Sequence, residues 1–270
     1  MAGTLTLSKS TGQAVAAVVG TTVVALLLFY QTWRSVPEMK KKRRNLVINY
    51  HFHRRCNYSC KFCFHTSKNG DVASLLDAKR AMQLLKAEGM IRVNFSGGEP
   101  FLKGKWLGEM CRYCHENLVV AVSIVSNGSK IRESWMQKYG RYVDVLAISC
   151  DSFQQETLKE IGRFETNKDH IEQLRRIRDW CNEHDVTFKI NSVVCTANKH
   201  ETMVREILEL NPARWKVFQC LLIDGENAGP EALRNAKDQV ISKEEFDAFV
   251  ERHQEVEALV AEDNDAMRNS

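Results

Sequence analysis

From Asn45 onward the chain alternates short β-rich runs with helical patterns, and this rhythm limits the folds open to it more than any other feature. Strands are predicted near 46–53, 91–96, 120–126, 143–149, 186–194 and 214–221. Helices are predicted near 72–88, 105–117, 131–139, 168–184, 201–209 and 243–259. Alternation of this kind builds βα units around a parallel sheet or barrel. No internal repeat interrupts it, and the polar stretch from Glu262 to Ser270 reads as a frayed tail or a truncation point. With 44% hydrophobic residues and four prolines in 270 residues, the chain holds one substantial core plus appendages, which argues against wholesale disorder. A net charge of +4 does not by itself point to nucleic acid, and no nucleic-acid partner is expected.

Ahead of this region, no residue between Lys9 and Arg34 is charged, and Ala14 to Tyr30 is apolar all the way round. A helix crossing a bilayer needs roughly 20 such residues. Tyr30 and Trp33 suit the interfacial belt, and by the positive-inside rule the basic run Lys40 to Arg44 puts the chain from Asn45 onward in the cytosol. Residues 1–44 are therefore expected to be a membrane anchor with a basic linker, and 45–270 a catalytic domain. A cleaved signal peptide would show a stronger basic start, and a helix lying in the interface would show a polar face. Whether the anchor spans stays open. Beside an apolar segment, the basic run fits anionic lipid better than a linker or a nuclear signal.

Nine cysteines, an odd number in a chain this long, suit reduced thiols kept for metal or packing better than a disulfide scaffold. Cys56, Cys60 and Cys63 have the spacing C-x3-C-x2-C, in the loop after the first predicted strand. Three thiolates this close suit one soft metal centre. A structural zinc would want a fourth ligand, with His51, His53 and His65 as candidates, whereas a [4Fe–4S] cluster on three cysteines keeps one iron open. An open iron can take the amino and carboxylate groups of S-adenosylmethionine (SAM). Ser96-Gly97-Gly98-Glu99-Pro100 follows the second strand; its glycines admit close approach to a ligand, and Glu99 adds an acceptor for an ammonium group. Alone, this segment would read as an ordinary turn. Cys111 and Cys114 sit in a helical pattern without further ligands and read as packed thiols. Cys150, Cys181, Cys195 and Cys220 read as core or strand residues.

Strand side chains alternate with period two, and in a β/α barrel the outward phase is apolar because helices cover it. Ile48, Tyr50 and Phe52 oppose Asn49, His51 and His53. Val93 and Phe95 oppose Arg92, Asn94 and Ser96. Phe188 and Ile190 oppose Lys189 and Asn191, and Trp215 and Val217 oppose Arg214 and Lys216. A lumen carrying Arg92, Lys189, Arg214 and Lys216 calls for a polyanion, most simply a triphosphate, because buried cations without partners are costly. The competing reading is an antiparallel sheet with one solvated face, where such alternation carries no message.

Six segments in order, CNYSCKFCFHTSK, NFSGGEPFL, SIVSNGS, AISCDSF, FKINSV and NPARWKVFQCLLIDGEN, resemble the viperin family of interferon-inducible antiviral radical SAM enzymes, from about Asn45 to the end. The resemblance implies an α/β fold, a partial (β/α)6 radical SAM barrel preceded by the N-terminal anchoring helix. It implies a [4Fe–4S] cluster and SAM as cofactors, and conversion of CTP to 3′-deoxy-3′,4′-didehydro-CTP, a chain terminator of viral RNA polymerases. That reaction takes hydrogen from C4′, loses the 3′ hydroxyl as water and reduces the remaining radical. By position, Cys56, Cys60 and Cys63 hold the cluster, and Phe62 lies near the adenine. Gly97, Gly98 and Glu99 meet the methionine amino group, Ser149 and Arg163 its carboxylate, and Ser126 and Asn127 the ribose of SAM. Asn49, Arg92, Lys189, Asn191, Arg214 and Lys216 contact CTP, with Arg92 standing where the family has lysine. Implied partners are an electron donor, the cytosolic iron–sulfur assembly machinery, and the cytosolic face of the endoplasmic reticulum and lipid droplets. Family members continue beyond the point matching Ser270, so the chain reads as a fragment or shortened form. The alternatives are a membrane-tethered antiviral scaffold and a radical SAM enzyme with another phosphorylated substrate.

Overall fold

The computed structural model describes residues 45–268 apart from 69 and 166–168, so the expected anchor lies outside the described residues. Seven strands form one sheet in chain order: β1 Leu46–His51, β2 Met90–Ser96, β3 Ala121–Ser126, β4 Val145–Ser149, β5 Thr187–Val194, β6 Arg214–Gln219 and β7 Leu259–Glu262. Every neighbouring pair is parallel. The helices are α1 Leu75–Ala87, α2 Gly104–Glu116, α3 Glu133–Tyr139, α4 Gln155–Ile161, α5 His170–Glu183, α6 Val204–Leu210, α7 Lys243–Arg252 and α8 Asn264–Arg268. Sequential order with a crossover at each step curls the sheet into a half-barrel, and the solvated antiparallel alternative falls away.

The core lies between the outer face of the sheet and the helices. Val93, Phe95, Val122, Ile124, Ile148, Ile190, Trp215 and Val217 are buried on the sheet side. Leu107, Met110, Leu174, Ile177, Phe246 and Phe249 meet that layer from α2, α5 and α7. Local chemistry sets the helix starts. Asp169 accepts from the Ile171 and Glu172 amides ahead of α5, and Ser242 and Glu245 form a capping box ahead of α7.

The sheet has one strand more than expected. The helix predicted over 243–259 ends at Arg252, and 259–262, which run from the end of that expected helix to the first residue of the expected tail, pair with β6 as a strand. His253 is buried, its Nδ1 at 2.7 Å from the Phe249 carbonyl and its Nε2 accepting from the Met203 amide at 2.9 Å, which anchors the chain where α7 stops. The open edge of β6 then captures the next β-competent run. Helix α4 was also not foreseen.

Candidate active site

The parallel register sorts the strand residues into layers facing the lumen. Asn49 pairs with Asn94 and His51 with Ser96 across β1 and β2. Lys189 pairs with Arg214, and Asn191 with both Ser149 and Lys216, across β4 to β6. The cysteine loop follows β1, so the thiols sit at the C-terminal rim of the half-barrel, above these layers.

At the rim, Cys56, Cys60 and Cys63 line one cavity of ≈ 120 Å³, together with Tyr58, His65 and Arg234. The loop is held from several sides. The end of helix α4 and the glycine after it lend two carbonyls: the Ser59 amide donates to Gly162 at 3.0 Å and the Lys61 amide to Ile161 at 2.9 Å. From the other side, the Gly98 and Glu99 amides donate to the His53 and Arg55 carbonyls at 2.8 Å each. A side chain cannot fit there, since a Cβ on Gly98 would lie 1.9 Å from the Arg55 carbonyl and one on Gly97 2.3 Å from that of His53. The glycine pair thus fits one loop against the other. Asn57 and Tyr58 continue the rim, where the Tyr58 amide and the Asn127 side-chain amide reach the Cys56 sulfur at 3.4 and 3.7 Å.

Glu99 has no exposed surface, and its carboxylate accepts from the Phe101 amide at 3.0 Å, the Ser126 hydroxyl at 2.8 Å and the Asn127 amide at 2.7 Å. It fastens the end of β2 to the end of β3. Burial raises its pKa against the pull of these donors. Arg163 is buried and ion-paired with Asp151; burial opposes its charge, and the Asp151 carboxylate together with Cys60 and Cys150 raises its pKa in spite of that. Phe62 packs with Tyr58, Cys60, Ile161, Cys195 and Cys220 beneath the loop, and its carbonyl accepts from the Asn227 side chain at 2.8 Å. Arg54 forms a two-pronged pair with Glu226 at 2.9 and 3.0 Å. Strand β1 stops at His51, so His53 leaves the lumen phase and its Nδ1 accepts from the Arg55 amide at 3.1 Å. His65 faces the cavity with its ring 4.4 Å from that of His51, and burial, then His51 and Arg54, push its pKa down to about 4.

In the lumen the polar groups have fewer partners. Asn94 donates to Asn49 at 3.0 Å, and Lys216 is ion-paired with Glu262 of β7. Among the described residues, no acid pairs with Arg92, Lys189 or Arg214. The pKa of Lys189 is lowered by burial first, then by Arg214, Arg92 and Lys216, so the four cations feel one another across one space.

A model of the radical SAM superfamily matches residues 50–194. The chain belongs to this superfamily. The radical SAM chain is 57% identical over 226 residues to the S-adenosylmethionine-dependent nucleotide dehydratase RSAD2 of Danio rerio, covering 83% of this chain and 63% of that protein. To the RSAD2 of Siniperca chuatsi it is 56% identical, with 83% and 64% covered. These relatives bear out the resemblance to viperin. The chain spans less than two thirds of their length. The crystal structure of Streptococcus suis SuiB bound to S-adenosylmethionine superposes with a TM-score of 0.63 at 16% identity, covering 82% of this chain and 51% of that one, which shows a shared fold.

Radical SAM membership implies a [4Fe–4S] cluster and SAM, and the residues present fit both. A cube takes each cysteine on a different iron, and these three thiols line one common cavity. Burial pushes the Cys60 thiol up to about 12 and raises that of Cys56, so their thiolates call for a cationic centre. Several rim residues had not been singled out from the sequence. Ile161, Gly162, Glu226 and Asn227 brace the cysteine loop, and only the glycine after α4 gave a local signal. Glu262 went unnoticed because its segment read as a tail.

Proposed function

We propose that this protein is a radical SAM nucleotide dehydratase that converts CTP to 3′-deoxy-3′,4′-didehydro-CTP, an antiviral chain terminator. The observation that carries this reading is the set Arg92, Lys189, Arg214 and Lys216 facing one lumen beneath a rim with three thiols. Cations brought together with acidic pairing at Lys216 alone, among the described residues, suit a triphosphate. With the cluster on Cys56, Cys60 and Cys63 and SAM against 97–99, Ser149 and Arg163, the cofactors supply a carbon radical able to take hydrogen from a sugar C–H bond. The chain's own residues would do the rest. Arg214, Lys216 and Lys189 hold the phosphates low in the lumen, Asn49 and Asn191 orient the nucleoside, and the fastened rim keeps the reacting ends in register. Phe62, Ser126 and Asn127 shape the adenosine end from beneath and beside the cysteine loop.

Residues 1–44 would anchor the protein on the cytosolic face of the endoplasmic reticulum and lipid droplets, with an electron donor and the cytosolic iron–sulfur assembly machinery as partners. The test is anaerobic turnover of reconstituted protein with reductant, SAM and each nucleoside triphosphate in turn. CTP should stimulate formation of 5′-deoxyadenosine above UTP, ATP and GTP. Equal stimulation by all four, or none by any, would remove CTP as the substrate.

A further inference from the structure

Among the described strand residues on the lumen face, Glu262 is the one carboxylate. Phe218 pairs with Glu262 and Lys216 with Val260, so Glu262 lies one lumen-facing step beyond Lys216 toward the rim. Its carboxylate reaches back diagonally to the Lys216 ammonium, and both side chains are about a quarter exposed, at 23% and 30%. An acid in this position is unexpected if triphosphate binding were the lumen's whole task, since it repels the ligand that the four cations attract. Once phosphate oxygens take Lys216, the carboxylate loses its partner in a half-buried place, where an unpaired charge is costly. An ionised carboxylate accepts hydrogen bonds only, so the ligand must present a donor at that level. Phosphates at neutral pH present none. The ribose does: it follows the α-phosphate toward the rim, where its C–H bonds must face the radical, and it carries two adjacent hydroxyls.

We propose that Glu262 reads the ribose hydroxyls of the bound nucleotide, so that the lumen selects ribonucleoside over 2′-deoxyribonucleoside triphosphates, with Lys216 passing from Glu262 to the phosphates as the ligand enters. This assignment rests on the nucleotide reading above. A site built to bond a hydroxyl discriminates strongly against an analogue lacking it, because the buried acceptor is then left unpaired.

The experiment measures equilibrium binding of CTP, UTP and their 2′-deoxy forms to the full 270-residue chain, and to its Glu262→Leu and Glu262→Gln variants. Far-ultraviolet circular dichroism confirms that each variant is folded. The unaltered chain should bind each ribonucleotide at least ~10-fold more tightly than its 2′-deoxy form. Glu262→Leu should abolish that ratio, and Glu262→Gln, which keeps one acceptor, should retain part of it. Equal tightening of ribo and deoxy forms in both variants would mark Glu262 as a counter-ion of Lys216 alone and overturn the assignment. A change in the CTP-to-UTP ratio with the ribo-to-deoxy ratio intact would overturn it in favour of contact with the base. Failure of the unaltered chain to bind any ribonucleoside triphosphate would bring down the nucleotide reading and this assignment with it.

Discussion

The rim and the lumen of this half-barrel are built on opposite principles. At the rim the loops are bonded to one another: the Ile161 and Gly162 carbonyls take cysteine-loop amides, the glycine turn donates back to the same loop, and Glu99 takes three donors. In the lumen the cations outnumber their partners, and among the described residues Lys216 alone of the four has an acid beside it. Both regions use the same strands, a few residues apart. The contrast shows which geometry the protein sets in advance and which it leaves for a ligand to complete. On the function proposed above, a radical generated at the rim would have to be aimed within a fraction of an ångström, and mutual hydrogen bonds would supply that rigidity. A site for a polyanion works best when its charges are unsatisfied until the ligand arrives.

Two substitutions at the rim test its side of the contrast, ranked by their effect on folding stability. Gly98→Ala should do the most damage, because its Cβ would meet the Arg55 carbonyl at 1.9 Å, and the atoms it strikes are backbone rather than the end of a flexible side chain. The expected loss exceeds ~3 kcal/mol, read by urea unfolding, and a loss below ~1 kcal/mol would mean the two loops are not locked together. Next comes His170, which is 6% exposed at the start of α5, with no partner for its Nε2 among the described residues. Burial and then Arg163 push its pKa down to about 4. An unfolded chain takes up this proton near pH 6.5, while the folded one resists until about pH 4, so the stabilisation present above pH 6.5 is lost as pH falls through that window. Between pH 7.5 and 5 the unaltered protein should lose ~2 kcal/mol more than His170→Leu does. Equal losses in the two would place a solvated imidazole there.

How much of this was legible beforehand divides along the same line. Period-two alternation in short runs is a local signal, so six strands, their outward phase and the lumen cations Arg92, Lys189, Arg214 and Lys216 could be read directly. The cysteine spacing is local as well. The features that escaped are non-local. The bonds that Glu99 receives from Ser126 and Asn127 could not be read, because nothing in its neighbourhood announces that β3 brings them against it. Helix α4 is no shorter than α3 and α6, which were read from the sequence, and was missed all the same; the Ile161 carbonyl at its end and that of Gly162 just after it hold the cysteine loop. Residues 253–259 keep a helical pattern, and only the free edge of β6 and the buried His253 turn them into an approach to β7. Misreading that stretch also hid Glu262, the acid that gives the lumen its asymmetry.

The lumen's side of the contrast is tested by the change with the smallest expected effect on stability. Lys189 is half-buried, has no acidic partner among the described residues, and its charge is opposed by burial and by three neighbouring cations. Replacing it with methionine keeps the apolar stem and removes a repelled charge. Lys189→Met should therefore leave unfolding free energy within ~1 kcal/mol of the unaltered chain, on the stabilising side if it moves at all. The same change should weaken CTP binding ~10- to 100-fold, with SAM binding unaltered, since one charge-assisted bond to phosphate is lost. A destabilisation as large as that of Gly98→Ala would mean that Lys189 holds the barrel together, and the lumen would then be as fastened as the rim. Stability kept together with CTP affinity would leave the lumen open but place the phosphates elsewhere. Only the pairing of an undisturbed fold with a weakened triphosphate site separates a charge held ready for a ligand from one that serves the scaffold.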